Sequence, residues 1–469
     1  MRTGSTSLAG TILITVDSLR ADAVFGSSAR EIAPTLSSLA ERGAAFTDAV
    51  APGNWTPFSF PGILASRTVF AGGDDVGLPD SPALAETLSS AGIETAGFNA
   101  ANGFLTSHWG YDRGFDRFES FIDDPGSGIY GTYITPHPTV QGWLQLGTAP
   151  FRRLSDRLRR READRIVDTS HTLDVERAAT EFVASAGEPF FIWIHYMDPH
   201  TPYVPAGKHR RAIGSDAGIA RMLTAQIRAG LGKRVPDRAL EALRALYHGS
   251  VNQTDDSIRR VLDALADRAI RDETCVIVAG DHGEAFGEHG HLAHYPTLHE
   301  EVTAVPLIID YPEATPQTVT APTSLDVIPP TICRIMGVEP PSAFQGRSVL
   351  PAATGETPRR VPVTSVALQG ETVAEQPIPR RLGDGDLIVR ARTEEWAYEA
   401  EPESGRETLY ERTGSGEQEA EIDAATEATL TELREAAAER LGRIGSDETN
   451  GRAPTPESVD RQLAALGYR

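Results

Sequence analysis

The segment AGDHGEAFGEHGHLAH, residues 279–294, places a carboxylate and an imidazole side by side at Asp281 and His282. Oxygen and nitrogen donors at adjacent positions suit a hard or borderline divalent cation, and Gly280 and Gly283 are expected to let the backbone turn tightly around it. His289, His291 and His294 follow closely and leave a second, weaker site open. The competing reading is a solvent-exposed loop that is rich in His by chance. A further acid, Asp17, stands in TVDSLRAD, where it is equally suited to capping the next helix, although Asp22 is better placed for that role. Together with Asp281 and His282, Asp17 completes a three-ligand set.

Two more segments carry candidate chemistry. In APGNWTPFSFPGILASR, Thr56 precedes a helix expected to begin at FPGILAS, so locally it reads first as an N-cap. The same placement suits anion chemistry, because a helix N-terminus offers free N–H donors and a metal lowers the pKa of a hydroxyl. IHYMDPHTPY sets His195, Asp198, His200 and Tyr203 on a short loop, with His200 the candidate donor to a leaving oxygen or substrate clamp.

These residues need elements to hold them. TILITV (11–16), PFFIWIHY (189–196), TCVIVAG (274–280) and VPLIID (305–310) are continuous apolar runs, as strands buried on both faces are. Between them APTLSSLAERG, SPALAETLSSAG and DDSIRRVLDALADRA carry apolar residues at helical spacing. The expectation is an α/β fold with a mostly parallel sheet sandwiched by helices. In such sheets functional groups gather beyond the carboxyl ends of the strands, which selects Asp17, Asp198, His200, Asp281 and His282. Past LPAATGETPRRVP, the alternating segments DLIVRARTEEWAYEAE and RETLYERTG predict a small antiparallel sheet, followed by an acidic helix in ATLTELREAAAERLGRI. The organisation expected is a catalytic domain over 1–360, with 121–175 as an insertion or lid, a C-terminal subdomain over 361–445 and a polar tail over 446–469. FRRLSDRLRRREADR within the insertion reads as a solvated helical face or an anion-attracting rim.

Composition bounds the setting. A net charge of −22 and two lysines, Lys208 and Lys233, among 44 basic residues describe a surface adapted to salt, or a genome that favours Arg codons. Either way an acidic chain is a poor general nucleic-acid binder. Cys275 and Cys333 lie in apolar stretches, as buried free thiols do in a reducing compartment. The opening MRTGSTSLAG leaves no room for a signal peptide, and the chain has no apolar run of about 18 residues, so a cytoplasmic location without a transmembrane segment is expected.

These segments, in this order, resemble the sulfatase family of the alkaline-phosphatase superfamily over nearly the whole chain. LITVDSLRAD is similar to its first metal strand, NWTPFSFPGILASR to its nucleophile segment and ETAGFNAANGFLTSHWGYDRGFDRF to the strand and Gly-Phe-Asp loop that follow. FFIWIHYMDPHTPY resembles the substrate-histidine loop, VIVAGDHGEAFGEHG with HEEVTAVPLII the second metal strand and its sequel, and ETLYERTG the small C-terminal sheet. The resemblance implies an alkaline-phosphatase-like fold with Asp17, Asp281 and His282 as metal ligands and Thr56 as nucleophile and fourth ligand. It further implies His200 and His294 at the substrate, with Asn102, Asp198 and His291 as looser substrate contacts. One divalent ion, Mn, Zn, Ca or Mg, is expected.

The chain departs from the formylglycine sulfatases. Where they carry Cys-x-Pro-Ser-Arg it has Thr56 followed by Pro57, Phe58, Ser59 and Phe60, so the convertible Cys and the Arg are missing. That moves the expected chemistry toward hydrolysis of phosphoric (di)esters or phosphonate esters through a covalent Thr56 intermediate, on a small-molecule, glycan or lipid-headgroup ester. The alternatives are sulfuric ester hydrolysis, transfer of a phospho-substituent to a sugar or lipid headgroup, and a non-catalytic binding protein.

Overall fold

Seven-residue apolar strands with both faces covered form the centre of the molecule, and Gly10–Val16 (β1) is buried at every position. The computed structural model describes residues 8–122, 171–215, 235–369 and 381–444, with Thr224 and Arg228 between them and without positions 72, 74, 79, 295, 414, 415, 424 and 425. After β1 come Ala44–Val50 (β2), Glu94–Asn99 (β3), Arg117–Glu119 (β4), Phe190–Tyr196 (β5) and Thr274–Gly280 (β6). Ala285–Phe286 (β7) and Leu292–Ala293 (β8) form a small hairpin, and Ala304–Asp310 (β9), Gln317–Val319 (β10) and Thr323–Ser324 (β11) complete the main sheet.

The order across that nine-stranded sheet is β10-β2-β9-β6-β1-β5-β3-β4, with β11 also on β2. Every pairing is parallel except those of β9, which runs antiparallel between β6 and β2. The pleat divides each central strand between two cores: Leu13 and Trp193 enter one, Ile12, Ile14 and Ile194 the other. The Thr56–Ala65, Leu84–Ser90 and Ile328–Ile335 helices pack into the first, and the Pro34–Arg42, Thr172–Ser185 and Asp237–Asp267 helices into the second. The expected sandwich is present, and no described helix is long and apolar enough to cross a membrane.

Val363–Gln369 (β12), Asp386–Arg392 (β13), Trp396–Glu401 (β14), Arg406–Thr413 (β15) and Gly416–Ala420 (β16) form an antiparallel meander in sequence order, backed by the Glu427–Gly442 helix. Ion pairs fasten this sheet to the larger one. Arg392 and Arg412 both reach Asp48 on β2, and Arg412 also reaches Glu300. Arg390 Nη2 lies 2.5 Å from Glu417 Oε1, whose other oxygen lies 3.1 Å from His299 Nδ1.

Two local expectations change. The helix expected at FPGILAS starts earlier, at Thr56, with Trp55 in the capping position, because Pro57 in the first turn has no N–H to lose. Ala44–Val50, with Thr47 and Asp48 in its sequence, carries no continuous apolar signal yet forms a strand that pairs with β9, β10 and β11. Most of the 121–175 insertion, including its Arg-rich stretch, and the 446–469 tail lie outside the described residues.

Candidate metal and nucleophile site

Parallel pairing in register brings the two acids together. Val16 is opposite Gly280, so the next residues, Asp17 and Asp281, emerge side by side at the carboxyl ends of β1 and β6. Gly280 and Gly283 serve there by smallness rather than by turning: neither has a positive φ, but a Cβ on them would meet Leu19 O at 2.4 Å and Glu301 O at 2.2 Å. The tight turn falls on Ser18, whose φ of 57° is in the left-handed region. That conformation sends Ser18 N–H to Asp281 Oδ1 at 3.2 Å, while Ser18 Oγ donates to Asp17 Oδ1 at 2.9 Å.

Thr56 opens a ten-residue helix in which every side chain is buried. Its hydroxyl does not cap that helix. Oγ1 lies 3.0 Å from Asp281 Oδ2 and 3.3 Å from Asp17 Oδ2, joining the two acids. Asn102 Nδ2 approaches Asp17 Oδ2 at 3.3 Å and Thr56 Oγ1 at 3.5 Å, and its loop is held by Asn99, whose Nδ2 donates to Asn102 O and Leu105 O.

His282 is prepared as a ligand. Its Nδ1–H donates to Gly283 O at 2.9 Å, which leaves Nε2 bearing the lone pair, 3.6 Å from Asp17 Oδ1 and 3.8 Å from Asp281 Oδ2. Nε2 is buried with no hydrogen-bond partner among the described residues. Asp17, Asp281 and His282 each present a donor within 4.8 Å of the others, all fully buried. Two carboxylates, one orphaned imidazole nitrogen and a hydroxyl converging on one point fit a divalent cation.

Charge in this floor is unbalanced. Burial, and then the neighbouring Asp17 charge, push the Asp281 carboxyl well above its usual range. Burial acts on Asp17 in the same sense but is outweighed by His200, His282 and His195, which hold it below its ordinary value. Burial draws His195 down to about 4, and its Nε2 lies 3.8 Å from Asp17 Oδ2. Its Nδ1 contacts Thr15 Oγ1 at 2.9 Å; that oxygen also accepts from Trp193 Nε1 and donates to Ile194 O.

A rim of imidazoles overlies the floor. His294 has its ring centroid 4.7 Å from His282, 5.1 Å from His200 and 4.5 Å, edge on, from Trp55. His200 Nδ1 donates to Thr201 O at 2.6 Å. Two other sequence candidates do not join them. Asp198 turns away, its carboxylate taken by the hydroxyl of Thr172 and, at 2.7 Å, by Gln253 Nε2. His291, just ahead of β8, has His299, Glu301 and His289 as its electrostatic neighbours, whereas His294, just after β8, is buried in the rim.

His195, expected on the loop with Asp198 and His200, lies instead within β5, with Thr15 as its register partner on β1. Three residues of the site escaped sequence reasoning. Ser18 and Trp55 adjoin recognised candidates, which was the available signal. Glu284, in the same DHGE run as the ligands, is fully buried with neither carboxylate oxygen hydrogen-bonded among the described residues, and burial pushes its carboxyl up to about 7.

Comparison with known proteins agrees with the family and the fold. Residues 10–338 match the family model described as Sulfatase. The multifunctional alkaline phosphatase superfamily protein PehA of Trinickia caryophylli is 30% identical over 209 residues, which cover 38% of this chain and 40% of PehA. The uncharacterized sulfatase YidJ of Escherichia coli is 28% identical over 193 residues, covering 38% of each protein. The chain thus spans well under half the length of these curated relatives. Among solved structures, the phosphonate monoester hydrolase from Silicibacter pomeroyi superposes with a TM-score of 0.67 at 22% identity, over 93% of this chain and 96% of that one. A putative sulfatase from Bacteroides thetaiotaomicron gives 0.65 at 16% identity, over 97% and 96%. With a family model covering both strands that supply the acids, the helix that supplies Thr56 and the sheet between them, the chain belongs to the sulfatase family.

Proposed function

We propose that this protein hydrolyses phosphoric diesters or phosphonate esters, with Thr56 as nucleophile and a divalent cation held by Asp17, Asp281, His282 and Thr56. The observation that carries the reading is the Thr56 hydroxyl, buried at a helix N-terminus and in contact with both acids. A bound cation would lower the hydroxyl pKa and neutralise charge on the ester's non-bridging oxygens. Thr56 Oγ attacks phosphorus, its proton passing toward Asp281 Oδ2, and the bond to the leaving oxygen breaks as His200 supplies a proton. Water then displaces Thr56 from phosphorus, and the hydroxyl is restored. Asn102 Nδ2, on the same side of Asp17 and Thr56, is placed to donate to a non-bridging oxygen.

Threonine favours phosphorus over sulfur because it cannot become a formylglycine, so its intermediate is an ordinary ester that water must cleave. Sulfate ester hydrolysis is the second reading, supported by the family model and the sulfatase relatives. The test is a panel of nitrophenyl phosphate mono- and diesters, phosphonates and sulfate, with Mn²⁺, Zn²⁺, Mg²⁺ and Ca²⁺, in high salt to suit the acidic surface. Preference for the sulfate would reverse the ranking. Thr56→Ala should lower kcat by about 10⁴-fold or more with the fold intact, and retained turnover would remove Thr56 as nucleophile.

A further inference from the structure

A carboxylate that is fully buried without a hydrogen bond is costly, and the orphaned polar group facing it indicates what it is for. Glu284 Oε2 lies 3.8 Å from His294 Nδ1, and that nitrogen is likewise buried with no hydrogen bond among the described residues. Tyr203 and Ser18 also adjoin the carboxylate. The His294 ring, 4% exposed, is confined by Trp55, His282 and His200, so its freedom lies mainly in which nitrogen carries the proton and how the ring is turned.

We propose that Glu284 is a positioning residue that accepts the Nδ1–H of His294, fixing the tautomer and orientation in which the Nε2 lone pair takes a proton from the water that displaces Thr56. The separation is longer than a hydrogen bond, as catalytic contacts commonly are outside the Michaelis complex. Glu284 is held just ahead of the β7–β8 hairpin by its own backbone, whose N–H donates to Glu301 O at 2.8 Å, and His294 directly follows β8. Pairing of β7 with β8, Ala285 opposite Ala293, therefore sets the two side chains next to each other. This role rests on the reading of Thr56 as nucleophile, yet its primary readout needs no substrate.

The test uses the full chain, ¹⁵N-labelled at histidine and loaded with diamagnetic Zn²⁺, with the His294 ring assigned through His294→Gln. Long-range ¹H–¹⁵N correlation of the wild type should show the Nδ1–H tautomer, and an Nε2–H tautomer overturns the proposal without any variant. Glu284→Gln should disturb that tautomer and lower kcat about 10–100-fold with KM changed less than about twofold. In a His294→Gln background the same substitution should cost nothing further. An unchanged tautomer, or a loss that adds fully to that of His294→Gln, also overturns it. Should Glu284→Gln fail to fold, Glu284→Asp, which keeps the acceptor but shortens its reach, replaces it under the same criteria. Retained turnover in Thr56→Ala would sink the nucleophile reading while leaving the tautomer result to stand or fall alone.

Discussion

Two buried groups of charge in this molecule have opposite balances. Where the small sheet meets the large one, each acid faces a cation: Asp48 has Arg392 and Arg412, Glu300 has Arg412, and Glu417 has Arg390 and His299. At the ends of β1 and β6, Asp17 and Asp281 share a threonine hydroxyl, and the imidazoles around them include His282 and His195, each with an orphaned Nε2. The first group is internally neutralised and fastens two sheets together. The second has no arginine or lysine counterpart among the described residues and could take a cation from outside, which is the physical difference between a structural cluster and a candidate binding site.

That contrast can be broken at either end. Stripping a bound metal with a chelator should abolish turnover and remove about 4 kcal/mol of stability relative to protein held at a thousandfold excess over Kd, read by thermal melts with and without ion. The junction should not respond to the chelator, but Arg390→Met should, by stranding Glu417 and Glu399, cost about 3–5 kcal/mol in denaturant melts.

Acid should act on the junction next. Burial alone would push the Glu417 carboxyl up, but Arg390 and His299 outweigh it and hold the pKa at about 2, against 4.5 for the free group. A depressed folded-state pKa means that this stabilisation is complete above pH 4.5 and is lost as pH falls from 4.5 toward 2. At about 1.4 kcal/mol per pKa unit the loss is about 3 kcal/mol, and Glu417→Gln should flatten that part of the stability profile. The smallest effect has the opposite sign. Asp281→Asn should raise the stability of the metal-free protein by about 1–2 kcal/mol, because it replaces a buried acid whose ionisation both burial and Asp17 oppose, while abolishing turnover. A lowered melting temperature for that variant without metal would contradict the account of the floor.

How much of this was legible in the sequence follows from how locally each feature is encoded. The four continuous apolar runs became the four adjacent strands β9-β6-β1-β5 of the main sheet, and the acids after β1 and β6 became the floor, since strand burial and the strand-end rule both act within a few residues. Asp198 and His200 show the limit: two positions apart in one loop, one turns to Thr172 and Gln253 and the other to the site, a division made by helices distant in sequence. His195 was named but placed on the loop, because the strand runs one residue past it, and β2 was hidden by its polar residues. The Asp48 junction was illegible because its partners are 344 and 364 positions away.

The register of β1 against β6 also bears on how the chain reaches its native state. Ser18 N–H meets an Asp281 oxygen across 263 positions, and the acids that this contact arranges come from two strands that pair only after β5 and all between have been made. An ion held there cannot nucleate folding as a metal bound within a single hairpin does, because the loop that must close first is most of the chain. Its arrival would instead mark the last stage of assembly, so that metal uptake during refolding should lag behind secondary structure and keep pace with recovery of the native sheet.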